Sequence, residues 1–167
     1  LGFTHFWIAI AAGSSAAGSL IAFSDQGSVQ SADWSFLWAI SACTGWVYTF
    51  QRWMKSTRKP EQMPASRLEF MQKQGGRLGV FWTLLSIWAT LHWLFEAGIP
   101  FAPQLASQWP LFLLAAVMSI GYAFNPIGSG RGWRERPHLK LPAIALSWTL
   151  ATVIFPASHL GLSLWDA

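Results

Sequence analysis

The chain has 167 residues and a formal charge of +4; 53% of its residues are hydrophobic and only 11% are charged. All eleven Lys and Arg fall in two stretches, Arg52 to Arg77 and Arg131 to Lys140, whereas a soluble domain scatters charge through every segment. That pattern excludes an ordinary soluble fold, and it makes the positive charge a mark of membrane topology instead of a nucleic-acid footprint.

Residues 3–23 form the first predicted span, without Asp, Glu, Lys or Arg and long enough to cross about 30 Å of hydrocarbon. Ala9, Gly13 and Ala17 recur at four-residue spacing, as do Ser14 and Gly18, a stripe whose ordinary role is close helix packing. Leu1 is not Met and no basic segment precedes the span, so a cleaved signal peptide is a poor reading. The chain is expected to be incomplete or processed at its start. Ser24 to Asp33 is a polar connection carrying Asp25 and Asp33. The second span covers 34–55, apolar from Trp34 to Phe50 and closing on Gln51, Arg52, Trp53 and Lys55. Pro60 and Pro64 then break the helix, Arg67 to Arg77 reads as a short polar helix lying at the surface, and Gly75-Gly76 reads as the turn back into the membrane.

The third span covers 78–96 and ends on Glu96. The fourth covers 109–125, with Pro110 in its first turn, where a missing N–H does no harm. The fifth covers 141–156, again with a proline, Pro142, near its start. The expectation is therefore an all-α integral membrane protein of about five transmembrane helices in a single membrane domain, with basic segments at 52–77 and 126–140. Lys and Arg near span ends stay on the cytoplasmic side. The start of the first span and both basic segments are thus expected in the cytoplasm of a bacterium, with the chain in its inner (cytoplasmic) membrane. Twelve Trp are many for this length. Trp34, Trp53, Trp82, Trp109, Trp133 and Trp165 stand at the ends of apolar runs, where an amphipathic ring suits the headgroup layer. Cys43, alone in an apolar run, forms no internal disulfide.

Three groups of residues have functional potential. Arg52 and Lys55 leave the second span while Arg131, Arg134, Arg136 and Lys140 lie between the fourth and fifth, so all six are candidates for one anion- or pyrophosphate-binding mouth. The bland alternative is that they set topology and touch anionic headgroups. Tyr48, Phe50, Tyr122, Phe124 and Trp148 are candidates for the wall of a ligand cleft, the alternative being interface belts and helix packing. His92 and Glu96, one helical turn apart, are possible ligand contacts at the outer end of the third span, since ionisable groups within the membrane are functional candidates by default. Pairing His5 with His92 around a haem fails on depth, because the two stand near opposite surfaces. Glu61, Glu69 and Glu135 are the only acids on the cytoplasmic side and none is paired, so no metal site and no catalytic group is expected within the chain.

The order of these parts resembles the N-terminal half of the UbiA-type intramembrane prenyltransferases. In that family the second span ends in an acidic first motif and a basic loop, and the fourth ends in tyrosine and proline. Basic residues and a Pro-led fifth span then follow. Here Gly121-Tyr122-Ala123-Phe124-Asn125-Pro126 precedes Arg131 to Lys140 and Leu141-Pro142, and Trp148 and Phe155-Pro156 close the span. The resemblance covers nearly the whole chain and implies a UbiA-like half-bundle. The first motif departs from it: where the family carries aspartates for Mg²⁺-pyrophosphate, this chain reads Tyr48-Thr49-Phe50-Gln51-Arg52-Trp53-Met54-Lys55, which reverses the local charge.

These readings together predict a non-catalytic UbiA-like membrane subunit that binds an isoprenoid, quinone, carotenoid or chlorophyll-type molecule and/or scaffolds a complex. Its expected partners are the lipid bilayer and other membrane subunits, with no nucleic acid. The alternative is a prenyltransferase whose Mg²⁺-binding acids lie outside this chain.

Overall fold

A computed structural model of the chain describes residues 4–24, 27–29, 31–58, 60–96, 110–111, 113–118, 121 and 137–162. Among these residues all regular structure is helical. The chain divides into two compact units, one of Leu1–Ser14 with Ser31–Ala97 and one of Ser15–Gln30 with Gly98–Ala167. Helix α1, Thr4–Phe23, begins in the first unit and runs on into the second. Three segments among the described residues are long and apolar enough to cross a membrane: His5–Phe23, Ala65–Glu96 and His138–His159.

The first unit is built on two long helices, α2 (Ser31–Arg58, 28 residues) and α3 (Ala65–Glu96, 32 residues). At 1.5 Å per residue they are about 42 and 48 Å long, well beyond the hydrocarbon thickness of a bilayer. A 3₁₀ turn at Pro60–Gln62 joins them. Here the two prolines act as the sequence suggests: Pro60 opens the turn, its carbonyl taking the Met63 N–H, and the Pro64 carbonyl accepts from the N–H groups of Arg67 and Leu68 to start α3.

Between Pro64 and Glu96 the helix does not break. Arg67 to Arg77 is the first third of α3, not a separate surface helix, and Gly75-Gly76 is not a turn. Gly75 is buried because α2 comes close: a Cβ there would lie 3.1 Å from Trp53 Cδ1 and 3.3 Å from Met71 Cε. Gly45 plays the same part on α2, where a Cβ would fall within 2.4–2.7 Å of three carbons of the Trp82 ring. Trp82, expected at the membrane interface, is instead buried between the helices. Gly13 does this on α1, with its missing Cβ 2.2 Å from Ser41 Oγ. These contacts fix an antiparallel register in which Trp46 donates its indole N–H to Thr83 Oγ1 at 2.8 Å and Phe36 packs on Trp93.

The buried row of α1 is His5, Ala9, Ala12, Gly13, Ala16 and Leu20, a single helical face. The stripe read from spacing is only partly this face, since Ser14 and Gly18 are exposed and Ala17 is half-buried. Asp33, expected in the connection, lies in the first turn of α2 and is buried, at the end of the helix where a negative charge is favoured.

In the second unit residues 110–111, 113–118 and 121 are helical, within the predicted fourth span, whose other residues lie outside the described ones. Helix α4 (Pro137–Thr149) begins four residues before the predicted fifth span, so His138 and Lys140 are helical and Pro142 sits inside the helix. Its axis passes into a π-helical turn, Leu150–Ile154, closed by Phe155 N–H to Leu150 O, and then into α5, Phe155–His159. Pro156 was expected to end the span. The wider turn just before it relieves the clash its ring would make with the Thr152 carbonyl, and the helix continues. The end comes at Gly161, at φ 76°, where Leu162 N–H reaches Ala157 O and Gly161 N–H reaches Ser158 O in a Schellman pattern. Met118, Ala143 and Leu150 form the core of this unit, with Leu111, Ile154 and Phe155 against it.

Candidate functional site

The polar residues of the first unit gather where α1 begins and the apolar part of α2 ends. His5 is buried, and its Nδ1 lies 2.9 Å from Thr49 Oγ1, itself fully buried. The His5 ring meets the Tyr48 ring edge to face at 5.5 Å. One turn further along α2, Arg52 donates from Nη2 to the Tyr48 hydroxyl, and its guanidinium carbon stands 4.9 Å from the centre of the same ring. Arg52, Lys55 and Arg67 are half-buried, whereas Arg58, Lys73 and Arg77 are exposed. The chain of contacts thus runs Thr49, His5, Tyr48, Arg52, from a dry hydroxyl to a cation at the polar edge.

The register explains why this happens at one depth. Trp46 meets Thr83 and Trp53 meets Gly75, so the ends of the two apolar runs, Phe50 on α2 and Leu78 on α3, face one another between those contacts. His5 is level with Thr49, just below that boundary. The cluster therefore stands where α2 and α3 pass from apolar to polar together, beside the start of α1.

No family model, curated protein or solved structure matches the chain. What the site can do is accordingly read from its own chemistry.

Of the residues singled out from sequence, Tyr48 and Arg52 come together as described, with Lys55 one turn beyond. Phe50 does not share their side of α2: it stacks on Trp46 with centroids 5.4 Å apart and 9° between planes, and tilts against Trp53 at 6.3 Å. It packs along α2 between Trp46 and Trp53 and does not extend the Tyr48 wall. Lys140 and Trp148 belong to the second unit, Lys140 exposed and Trp148 38% exposed. Tyr122, Phe124, Arg131, Arg134 and Arg136 lie outside the described residues. His92 and Glu96 approach one another, Nδ1 to Oε2 at 3.7 Å, with both side chains more than two-fifths exposed and Trp88 beside the imidazole. They form a pair at the far end of α3 from the Arg52 cluster. Trp93, next to His92, touches Phe36, thirteen residues along α2 from the Thr49 that holds His5, or about 20 Å. The two histidines are thus too far apart in depth to share a haem. Among the described residues no group of three His, Cys, Asp or Glu is placed to hold a metal ion.

Sequence reading passed over His5 and Thr49 as members of one site. His5 carried a signal of its own, as the one ionisable side chain of the first span. Thr49 carried none, because only the packing of α1 on α2 brings it to His5.

Proposed function

We propose that the protein is a non-catalytic, UbiA-like subunit of a bacterial inner membrane, its basic helix ends cytoplasmic, that holds an isoprenoid, quinone or pigment-type lipid or scaffolds a complex. The observation that carries this reading is the character of the α2 end. Where a UbiA-type enzyme has metal-binding aspartates, this chain has Tyr48 under the Arg52 guanidinium and His5 on Thr49. A cation there repels Mg²⁺ and attracts the polar or anionic end of a lipid, while the apolar lengths of the helices accommodate its tail. The three apolar segments support residence in a membrane. The test is extraction of small molecules from protein purified under native conditions. One isoprenoid, quinone, carotenoid or chlorophyll-type compound coming away in a fixed ratio supports the reading, and a preparation that carries no such compound and purifies without other membrane subunits sinks it.

The alternative is a prenyltransferase whose acids lie outside this chain, with half-buried Arg52 and Lys55 supplying pyrophosphate contacts. Mg²⁺-dependent consumption of a prenyl diphosphate by the purified protein would establish that reading and displace the first.

A further inference from the structure

Arg52 is half-buried, and a guanidinium has five N–H donors. One of them goes to the Tyr48 hydroxyl. Among the described residues no carboxylate pairs with Arg52 or with Arg67: the nearby acid of α3, Glu69, is taken by Lys73 at 2.7 Å. A cation partly removed from water with its remaining donors unengaged is costly, and an anion received there recovers that cost. Because Tyr48 accepts its hydrogen bond from Arg52, its own O–H proton is left to point elsewhere, as a second donor beside the guanidinium. The Tyr48 ring does not turn freely: the His5 edge lies against it and Thr49 anchors His5. The whole arrangement stands at the level where the apolar runs of α2 and α3 end, which in the membrane placement proposed above is the level of the lipid head groups.

We infer that Tyr48 and Arg52, with His5 as the positioning residue, form a discrete site for the phosphate of one anionic glycerophospholipid. Guanidinium and phenol donate to the phosphate oxygens, and the acyl chains lie along the apolar surface of the same helices. The inference rests on the reading of the α2 end proposed above and names the head group received there; the site differs from diffuse attraction of a basic surface to an anionic leaflet in depending on these side chains and not on net charge.

The experiment uses the full chain in nanodiscs of phosphatidylcholine doped with phosphatidylglycerol. Native mass spectrometry counts the phosphatidylglycerol retained, and tryptophan fluorescence follows its binding to delipidated protein. One phosphatidylglycerol should be retained in preference to phosphatidylcholine. Arg52→Gln should weaken its binding about tenfold, while Arg77→Gln, which removes the same charge from an exposed position on α3, leaves it within about twofold. Tyr48→Phe should weaken it severalfold with net charge unchanged. Arg52→Lys serves as a second variant should Arg52→Gln fail to fold: it keeps the charge and loses the guanidinium fork, and a several-fold loss is expected from it as well. Equal losses from Arg52→Gln and Arg77→Gln overturn the site in favour of diffuse attraction. Equal retention of the two lipids also overturns it, as does displacement of phosphatidylglycerol by inorganic pyrophosphate at matched concentration, which would make a soluble phosphate compound the ligand.

Discussion

His5 shows how much depends on a single buried polar contact. Its Nδ1 has Thr49 Oγ1 within 2.9 Å and both residues are shielded from water. Replacing Thr49 by Val keeps the shape and leaves a buried imidazole nitrogen without its partner, which costs roughly 1–3 kcal/mol. The expected result is a lowered midpoint for Thr49→Val in thermal unfolding in detergent, and a double variant, His5→Leu with Thr49→Val, that recovers part of the loss. If the single and double variants lose stability additively, the two side chains are not coupled. Trp82 is the contrasting case. Its indole N–H is buried with no hydrogen-bond partner among the described residues, so the contact with Gly45 is made by shape and dispersion.

Glycines separate the helix surfaces that touch from those that do not. Gly45 and Gly76 both sit inside helices, where Gly costs about 1 kcal/mol relative to Ala. A methyl group on Gly45 would enter the Trp82 ring, while one on Gly76 meets nothing within 4 Å. Gly45→Ala is therefore expected to destabilise the first unit by roughly 1–3 kcal/mol and Gly76→Ala to stabilise it by up to about 1 kcal/mol, read as opposite shifts of the unfolding midpoint. A stabilising Gly45→Ala would contradict the close approach of α2 to α3. At the other end of the chain, the π turn and Pro156 belong together. Pro156→Ala removes the ring that the wide turn accommodates, so a regular α register is expected, with stronger amide protection at Phe155 and Ala157 in hydrogen exchange. Unchanged exchange would show that the turn has another cause, such as the Thr152 hydroxyl bonding back to Trp148 O.

Taken as a whole molecule, the question is which ends of the helices share a compartment. The positive-inside rule assigns the α2–α3 connection to the cytoplasm and the α1–α2 connection to the opposite side. In a Cys43→Ala background, Gln62→Cys should react with a membrane-impermeant thiol reagent only after the cell is opened, and Ser28→Cys should react from outside. Both positions are exposed. Labelling of both from the same side would reverse the proposed topology and remove the basis for a cytoplasmic head site.

The helical nature of the chain and the presence of segments long and apolar enough to cross a membrane were legible in sequence because length and composition are read segment by segment. A run of apolar residues of sufficient length reads as a helix whatever packs beside it, and Lys and Arg are sorted by the leaflet independently of the fold. The helix break at Pro60 and Pro64 was legible for the same local reason. Tertiary structure alone decided that Gly75-Gly76 continues a helix, that Trp82 leaves the interface for the interior, and that His5 joins Thr49 and Tyr48. Each of these turns on which helix lies alongside and in what register, a property of pairs of segments far apart in the chain that no pattern within either one encodes.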